Sequence, residues 1–186
     1  MNLNIALLHY PVTDKNGLTV ATSITNFDIH DIARTARTYG MNRYYIVTPI
    51  ESQIWLAGRI INHWQEGFGA DYNPTRKEAF KNVRLKTDIS EVIEDIRSKS
   101  DRKLYLVATS AKQHPNSVSF GELRKKIKLS KNAEFCILFG TGWGLHPEIM
   151  KEVDYILEPI YGPTEYNHLS VRSAVAIILD RLVGRK

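Results

Sequence analysis

An α/β fold with a mainly parallel sheet and flanking helices is predicted by two features of the sequence. Short apolar runs of strand length, at 3–9, 43–48, 104–108, 135–139 and 155–157, alternate with stretches whose apolar residues recur at helical spacing. That is the pattern of strands joined by crossover helices. The runs at 135–139 and 155–157 both stop at glycine-containing loops that lead into helical patterns. In a parallel sheet such loops share one edge, where ligands of open α/β sheets bind.

Taken in order, the chain opens on the strand 3–9. Residues 11–22 read as a loop, with Pro11, Asp14, Asn16 and Gly17 as turn formers. The first helix starts near Asn26 or Asp28, both good N-caps, and ends before Gly40. Ile29, Ile32, Ala33, Ala36 and Tyr39 form its inward stripe, and His30, Arg34 and Arg37 share another face. The strand 43–48 stops at Pro49. Ile54, Ala57, Ile60, Ile61 and Trp64 mark a second amphipathic helix, broken by Gly67, Gly69, Asn73 and Pro74. A basic segment follows (Arg76, Lys77, Lys81, Arg84, Lys86), inside which Val83 and Leu85 suggest a short strand. Residues 51–85 thus read as an excursion from the core layer.

Asp88 and Glu91 have capping-box spacing and open a helix with Ile89, Val92, Ile93 and Ile96 inward. The strand 104–108 runs into a polar loop at 109–117. Ser119 and Glu122 repeat the capping-box spacing, and Arg124, Lys125, Lys126, Lys128 and Lys131 crowd the helix that follows. The strand 135–139 meets Gly140, Gly142 and Gly144; residues 145–153 have helical spacing; the strand 155–157 leads into Pro159-Ile160-Tyr161-Gly162-Pro163. A last helix at 166–183 carries apolar residues around more than one face, as in a helix buried on several sides or placed in an interface.

The 186 residues suffice for one domain, 1–186, with a sizeable core. A net charge of +5 favours an acidic partner such as nucleic acid. The single cysteine, Cys136, lies in an apolar run and excludes an internal disulfide. The six histidines are scattered without ligand spacing, so no metal site is expected. With no secretory signal and no apolar stretch long enough to span a bilayer, a cytoplasmic location with no membrane partner is expected.

Glycines without Cβ allow positive φ and close approach of a ligand to the backbone, and each loop meets a helix N-terminus whose free N–H groups attract anions or polar ligand edges. Three alternating glycines with a second Gly-Pro loop therefore point to a ligand site at this edge. Gly-x-x-x-x-Gly-Lys-Ser/Thr and an N-terminal Gly-x-Gly-x-x-Gly are both missing, which disfavours phosphate-cradling and dinucleotide-binding types.

Three C-terminal segments resemble, in order and spacing, the motifs of the SPOUT RNA methyltransferases: Phe139-Gly140-x-Gly142-x-Gly144-Leu145, then Ile156-Leu157-Glu158-Pro159-Ile160, then Tyr166-Asn167-His168-Leu169-Ser170-Val171. Asn26 followed by Ala33-Arg34-Thr35-Ala36 and Gly40 is similar to that family's first motif, and Thr109-Ser110-Ala111-Lys112 is similar to the strand-end Thr-Ser-Ala-Arg of some members. The resemblance covers nearly the whole chain. It implies an α/β trefoil knot in the C-terminal part, S-adenosylmethionine as cofactor, tRNA or rRNA as substrate, and a homodimer through the last helix.

On the matching positions the resemblance assigns cofactor contacts to Thr109, Ser110, Phe139, Gly140, Thr141, Gly142, Gly144, Leu145, Ile160, Gly162, Leu169 and Ser170. It offers Arg34 to orient the acceptor, and Glu165 or His168 to take the proton. Two positions depart from the ribose-methylating branch: Thr141-Gly142-Trp143 stands where that branch has a Glu, and His168 replaces an Asn. Ribose 2′-hydroxyl and base nitrogen both remain open as acceptors, as does a non-catalytic RNA-binding protein that retains the knotted fold. The plainer alternatives are a solvated Arg34 paired with Asp31 or His30, a capping His168, a first-turn Glu165 favourable to the helix dipole, loop packing for Trp143, and solvated charged faces for the basic clusters.

Overall fold

The computed structural model describes residues 2–185. Its main sheet has seven parallel strands: β1 (Leu3–Leu8), β4 (Tyr44–Val47), β5 (Val83–Lys86), β6 (Lys103–Ala108), β7 (Ser117–Val118), β8 (Ala133–Gly140) and β9 (Tyr155–Leu157). They lie in the order β5-β4-β1-β8-β6-β9-β7. β8 enters between β1 and β6, pairing Leu3 with Phe135 through Leu8 with Gly140 on one side and Lys103 with Ala133 through Ala108 with Leu138 on the other. Because all these pairs are parallel, the C-terminal ends of β1, β6, β8 and β9 share one edge, as the glycine loops predict.

The near-continuous apolar character of β1 and β8 follows from burial on both faces. Leu3, Ile5 and Leu7 of β1, with Phe135, Ile137 and Phe139 of β8, pack on one side with α1 (Asn26–Thr38) and α8 (Val171–Val183). α2 (Glu51–Gln65), α4 (Pro74–Phe80) and α6 (Phe120–Leu129) complete that layer. Ala6, Leu8, Cys136 and Leu138 face the other way, toward α5 (Ile89–Arg97) and α7 (Pro147–Glu152). Burial pushes the Cys136 thiol well above its usual range, so it behaves as a small apolar core residue.

The structure differs from the sequence reading in several places. β7 lies at the end of the stretch read as a polar loop, and residues 51–85, read as an excursion, instead supply α2, α4 and most of β5 to the core layer and the sheet. Residues 11–22 hold an antiparallel hairpin of β2 (Val12–Thr13) and β3 (Thr19–Val20), closed by an Asp14 carboxylate that accepts from the N–H groups of Asn16 and Leu18. The breakers at 67–74 end α2 as expected, with the Gly67 N–H closing it on the Asn62 carbonyl, but they also start two helices: Gly67 is the N-cap of α3 (Phe68–Tyr72), and Asn73 caps α4, whose first residue is Pro74. The first helix is capped by Thr25, one residue before the expected start. The last helix begins at Val171, not at 166, because Ser170 is its N-cap and accepts from the N–H of Ser173; residues 166–170 are loop. Glu165 is therefore not a first-turn acid. The Ser119–Glu122 capping box is complete, whereas Glu91 reaches the N–H of Thr87 instead of that of Asp88.

Candidate active site

The loops that follow β1, β6, β8 and β9 converge at the shared sheet edge on one cavity of about 740 Å³, a size that suits a cofactor-sized ligand. α1 contributes Asp28 to its wall, and α8 contributes its first two turns, from Val171 to Ile178.

The β8 loop keeps its shape through the hairpin that precedes α1. Trp143 N–H donates to the Thr13 carbonyl at 3.0 Å, and Thr13 N–H donates to the Gly144 carbonyl at 3.0 Å. Gly142 has φ of +58°, and a Cβ there would stand 3.0 Å from the Thr13 oxygen. Gly140 lies under the returning loop, where a Cβ would come within 2.6 Å of the Leu145 nitrogen. These two glycines are required first by the loop's own fold against the hairpin, a role the sequence alone did not display.

One charged cluster faces the cavity. Asp28 is buried. Its Oδ1 accepts from Arg172 at 3.0 Å and its Oδ2 from the Thr25 hydroxyl at 2.6 Å. Arg172 also approaches Asp31 at 3.5 Å, and its guanidinium sits 5.6 Å from the centre of the Phe27 ring. Behind the wall, His9 is fully buried with Nδ1 3.0 Å from Thr22 Oγ1. Desolvation lowers its pKa to about 4, with Asp28 acting in the opposite direction, so His9 is neutral at pH 7. On the far side Glu158 accepts from the N–H of Phe120 at 2.6 Å, fixing the start of α6 to the end of β9.

The cavity brings together most of the residues expected from the sequence: Thr109, Ser110, Phe139, Gly140, Thr141, Gly142, Gly144, Ile160, His168, Leu169 and Ser170 all line it. Four lie elsewhere. Leu145 is buried in the core layer with Ile149 and bridges to Val12. Gly162 and Glu165 are exposed and line no part of it, and Arg34 is exposed on α1. His168 lines the mouth with its ring edge-on to Tyr166, 5.7 Å between centroids. Sequence reasoning missed Thr22, Ser23, Thr25, Lys112 and Arg172 as wall residues and noted Asp28 only as a cap. Arg172 left one signal, a cation in the first turn of a helix whose middle is apolar from Ala174 to Leu179; Thr22 and Thr25 left none.

The wall suits S-adenosylmethionine: Phe139, Ile160 and Leu169 supply apolar surface, the β8 loop offers backbone groups, and Asp28 is an anion that can face a cationic ligand. A family model described as SAM-dependent RNA methyltransferase matches residues 2–184. The chain belongs to this family. The chain is 51% identical over 184 residues to an uncharacterized protein of Aquifex aeolicus (strain VF5), covering 99% of this chain and 89% of that one. It is 42% identical over 183 residues to a tRNA (guanine-N(1)-)-methyltransferase of Oleidesulfovibrio alaskensis, covering 98% of this chain. The chain spans only 42% of the length of that relative. Among solved structures, a probable methylase family protein from Haemophilus influenzae Rd KW20 superposes with a TM-score of 0.62 at 20% identity, covering 97% of this chain and 64% of that one. At that identity the likeness is one of fold. The family's cofactor is S-adenosylmethionine and its substrate class is RNA.

Proposed function

We propose that residues 1–186 act as one SPOUT-type methyltransferase domain, with S-adenosylmethionine in the cavity at the sheet edge and a methyl group passed to a base nitrogen or ribose 2′-hydroxyl of tRNA or rRNA. The observation that carries this reading is the convergence of four strand-end loops, distant in sequence, on one cavity with both apolar and charged walls. The bound cofactor supplies an electrophilic methyl on a sulfonium. The chain then has to align the acceptor, exclude water and manage one proton.

In this reading Phe139, Ile160 and Leu169 enclose the apolar part of the cofactor, while Thr109, Ser110, Ser170 and the Gly140–Gly144 backbone hold its polar edges. His168 stands at the mouth, where it can meet the acceptor. We infer a trefoil knot through these C-terminal loops and a homodimer through α8. Ala176, Ile177 and Val183 of α8 are only partly buried within one protomer, which supports an interface there. A dimer would also give Arg34, and the exposed Glu165, a second protomer's cavity to serve. The name of the Oleidesulfovibrio relative favours tRNA, although it describes a protein more than twice as long as the segment matched.

The test is incubation with S-adenosylmethionine and unmodified tRNA or rRNA, followed by digestion to nucleosides and mass spectrometry. A gain of one methyl on a base or on a ribose is expected, and the fragment that carries it names the acceptor. RNA binding without any methylated nucleoside would favour the non-catalytic alternative.

A further inference from the structure

Three side chains stand in line behind the cavity wall. His9 Nδ1 meets Thr22 Oγ1, Thr22 Oγ1 is hydrogen-bonded to Thr141 Oγ1, and Thr141 Oγ1 lies 3.1 Å from the Leu8 carbonyl oxygen. Each hydroxyl has one proton. The Leu8 carbonyl only accepts, so Thr141 gives its proton there. Thr22 must then supply the proton shared by the two threonines, and His9 must donate from Nδ1 to Thr22. His9 is thereby the Nδ1–H tautomer. Its Nε2, which has no partner among the described residues, bears a lone pair. The reverse direction, from Thr141 to Thr22 to His9, gives up the bond to Leu8 and leaves a buried Nε2–H without an acceptor, the rarer kind of unpaired group.

With both hydroxyl protons committed, Thr22 and Thr141 offer only lone pairs to the cavity they line. Asp28 on the same wall also only accepts, from Arg172 and from Thr25. Thr22, Thr141 and Asp28 therefore turn three acceptors toward the cavity, beside the Arg172 guanidinium that already occupies one Asp28 oxygen, whereas the β6 side carries the donor Lys112.

We propose that these acceptors, the Thr22 and Thr141 hydroxyl oxygens foremost, receive a proton-bearing group of the bound ligand, and that His9 is a positioning residue that fixes the polarity of the two threonines. The proposal rests on the methyltransferase reading, which supplies two sources of such a group. One is the α-ammonium of S-adenosylmethionine. The other is the N–H or O–H of the nucleotide that accepts the methyl.

The test has two parts. Long-range ¹⁵N–¹H correlation spectra of histidine-labelled protein should show His9 protonated on Nδ1 alone; protonation on Nε2 overturns the proposal. Calorimetry then compares wild type with the near-isosteric Thr22→Val and Thr141→Val, using S-adenosylhomocysteine and 5′-methylthioadenosine, which lacks the amino acid. If the cofactor's ammonium is the donor, both variants bind S-adenosylhomocysteine about tenfold more weakly and 5′-methylthioadenosine unchanged. If the nucleotide is the donor, both ligands bind as before and single-turnover methyl transfer slows about tenfold or more. No change in binding or transfer overturns the proposal.

His9→Asn, whose side-chain N–H takes the place of Nδ1–H, should retain the wild-type values that His9→Leu loses; equal loss in both would reduce His9 to a packing role. Wild-type protein that binds neither ligand contradicts the methyltransferase reading, and the ligand assigned to the wall falls with it, while the tautomer result stands by itself.

Discussion

Asp28 and Arg172 join α1 to α8 across 144 residues of sequence, at the wall of the cavity. The carboxylate is almost fully enclosed and the guanidinium about one-third exposed, with side-chain exposures of 6% and 36%. Solvent on the arginine side therefore screens part of the attraction. A double-mutant cycle with Asp28→Asn and Arg172→Gln, followed by urea unfolding, should give a coupling of about 1 kcal/mol, between the values for exposed pairs and for hydrogen bonds to buried charge. Coupling indistinguishable from zero would mean that the pair is incidental.

His9 makes a second prediction at this scale. Its pKa is lowered to about 4 by burial, while the unfolded chain binds the same proton near the ordinary histidine value of 6.5. Between these values the unfolded state binds more protons, so stability is complete above the upper value and declines as pH falls toward the lower one. The loss is roughly 3 kcal/mol in all. His9→Asn should flatten that part of the pH–stability curve. A slope of the same sign remains from His30, lowered in the same direction by burial and by Arg76. At this scale the sequence displayed the glycines and the apolar wall residues, since residue type alone marks them. It could not display the cluster of residues 9, 22, 28, 141 and 172, because only the β1–β8 pairing brings residues so distant in sequence to one edge.

At the scale of elements, the β8 loop and the β2–β3 hairpin are one unit, tied by the Thr13 N–H to the Gly144 carbonyl, by the Trp143 N–H to the Thr13 carbonyl and by the bridge from Val12 to Leu145. Gly142→Ala should cost about 1–2 kcal/mol, because an L-residue at φ of +58° meets its own carbonyl and its Cβ crowds Thr13. Denaturant unfolding checks this; an unchanged midpoint would mean that the loop relaxes freely. The longer strands of the main sheet were legible because burial writes apolar runs into them; β7, two half-buried residues at the end of a stretch read as polar loop, was not. The hairpin was not legible, since two-residue strands leave no alternation to read. The helices at 68–72 and 74–80 were hidden because Gly67, Asn73 and Pro74 act as well at helix starts as at stops. The apolar spacing that extends the last helix back to 166 is overruled by Ser170, a better cap than helix interior.

For the whole molecule, the net charge of +5 bears on association rather than fold. RNA affinity should fall steeply with added salt, the mark of counterion release; a titration insensitive to salt would argue against phosphate contacts. The partly buried face of α8 leads to a further expectation. Sedimentation equilibrium at micromolar concentration should return twice the chain mass of 21.3 kDa, and a monomer at that concentration would contradict the dimer. The central claim is that the cavity at the sheet edge is where the cofactor binds. Calorimetric titration with S-adenosylhomocysteine tests it most directly, on wild type and on Leu169→Arg, a substitution at a half-exposed wall position. Saturable binding by wild type that the variant loses, with both proteins equally folded, is the predicted result. Binding that survives Leu169→Arg unchanged, or no binding by folded wild type at millimolar ligand, would contradict it.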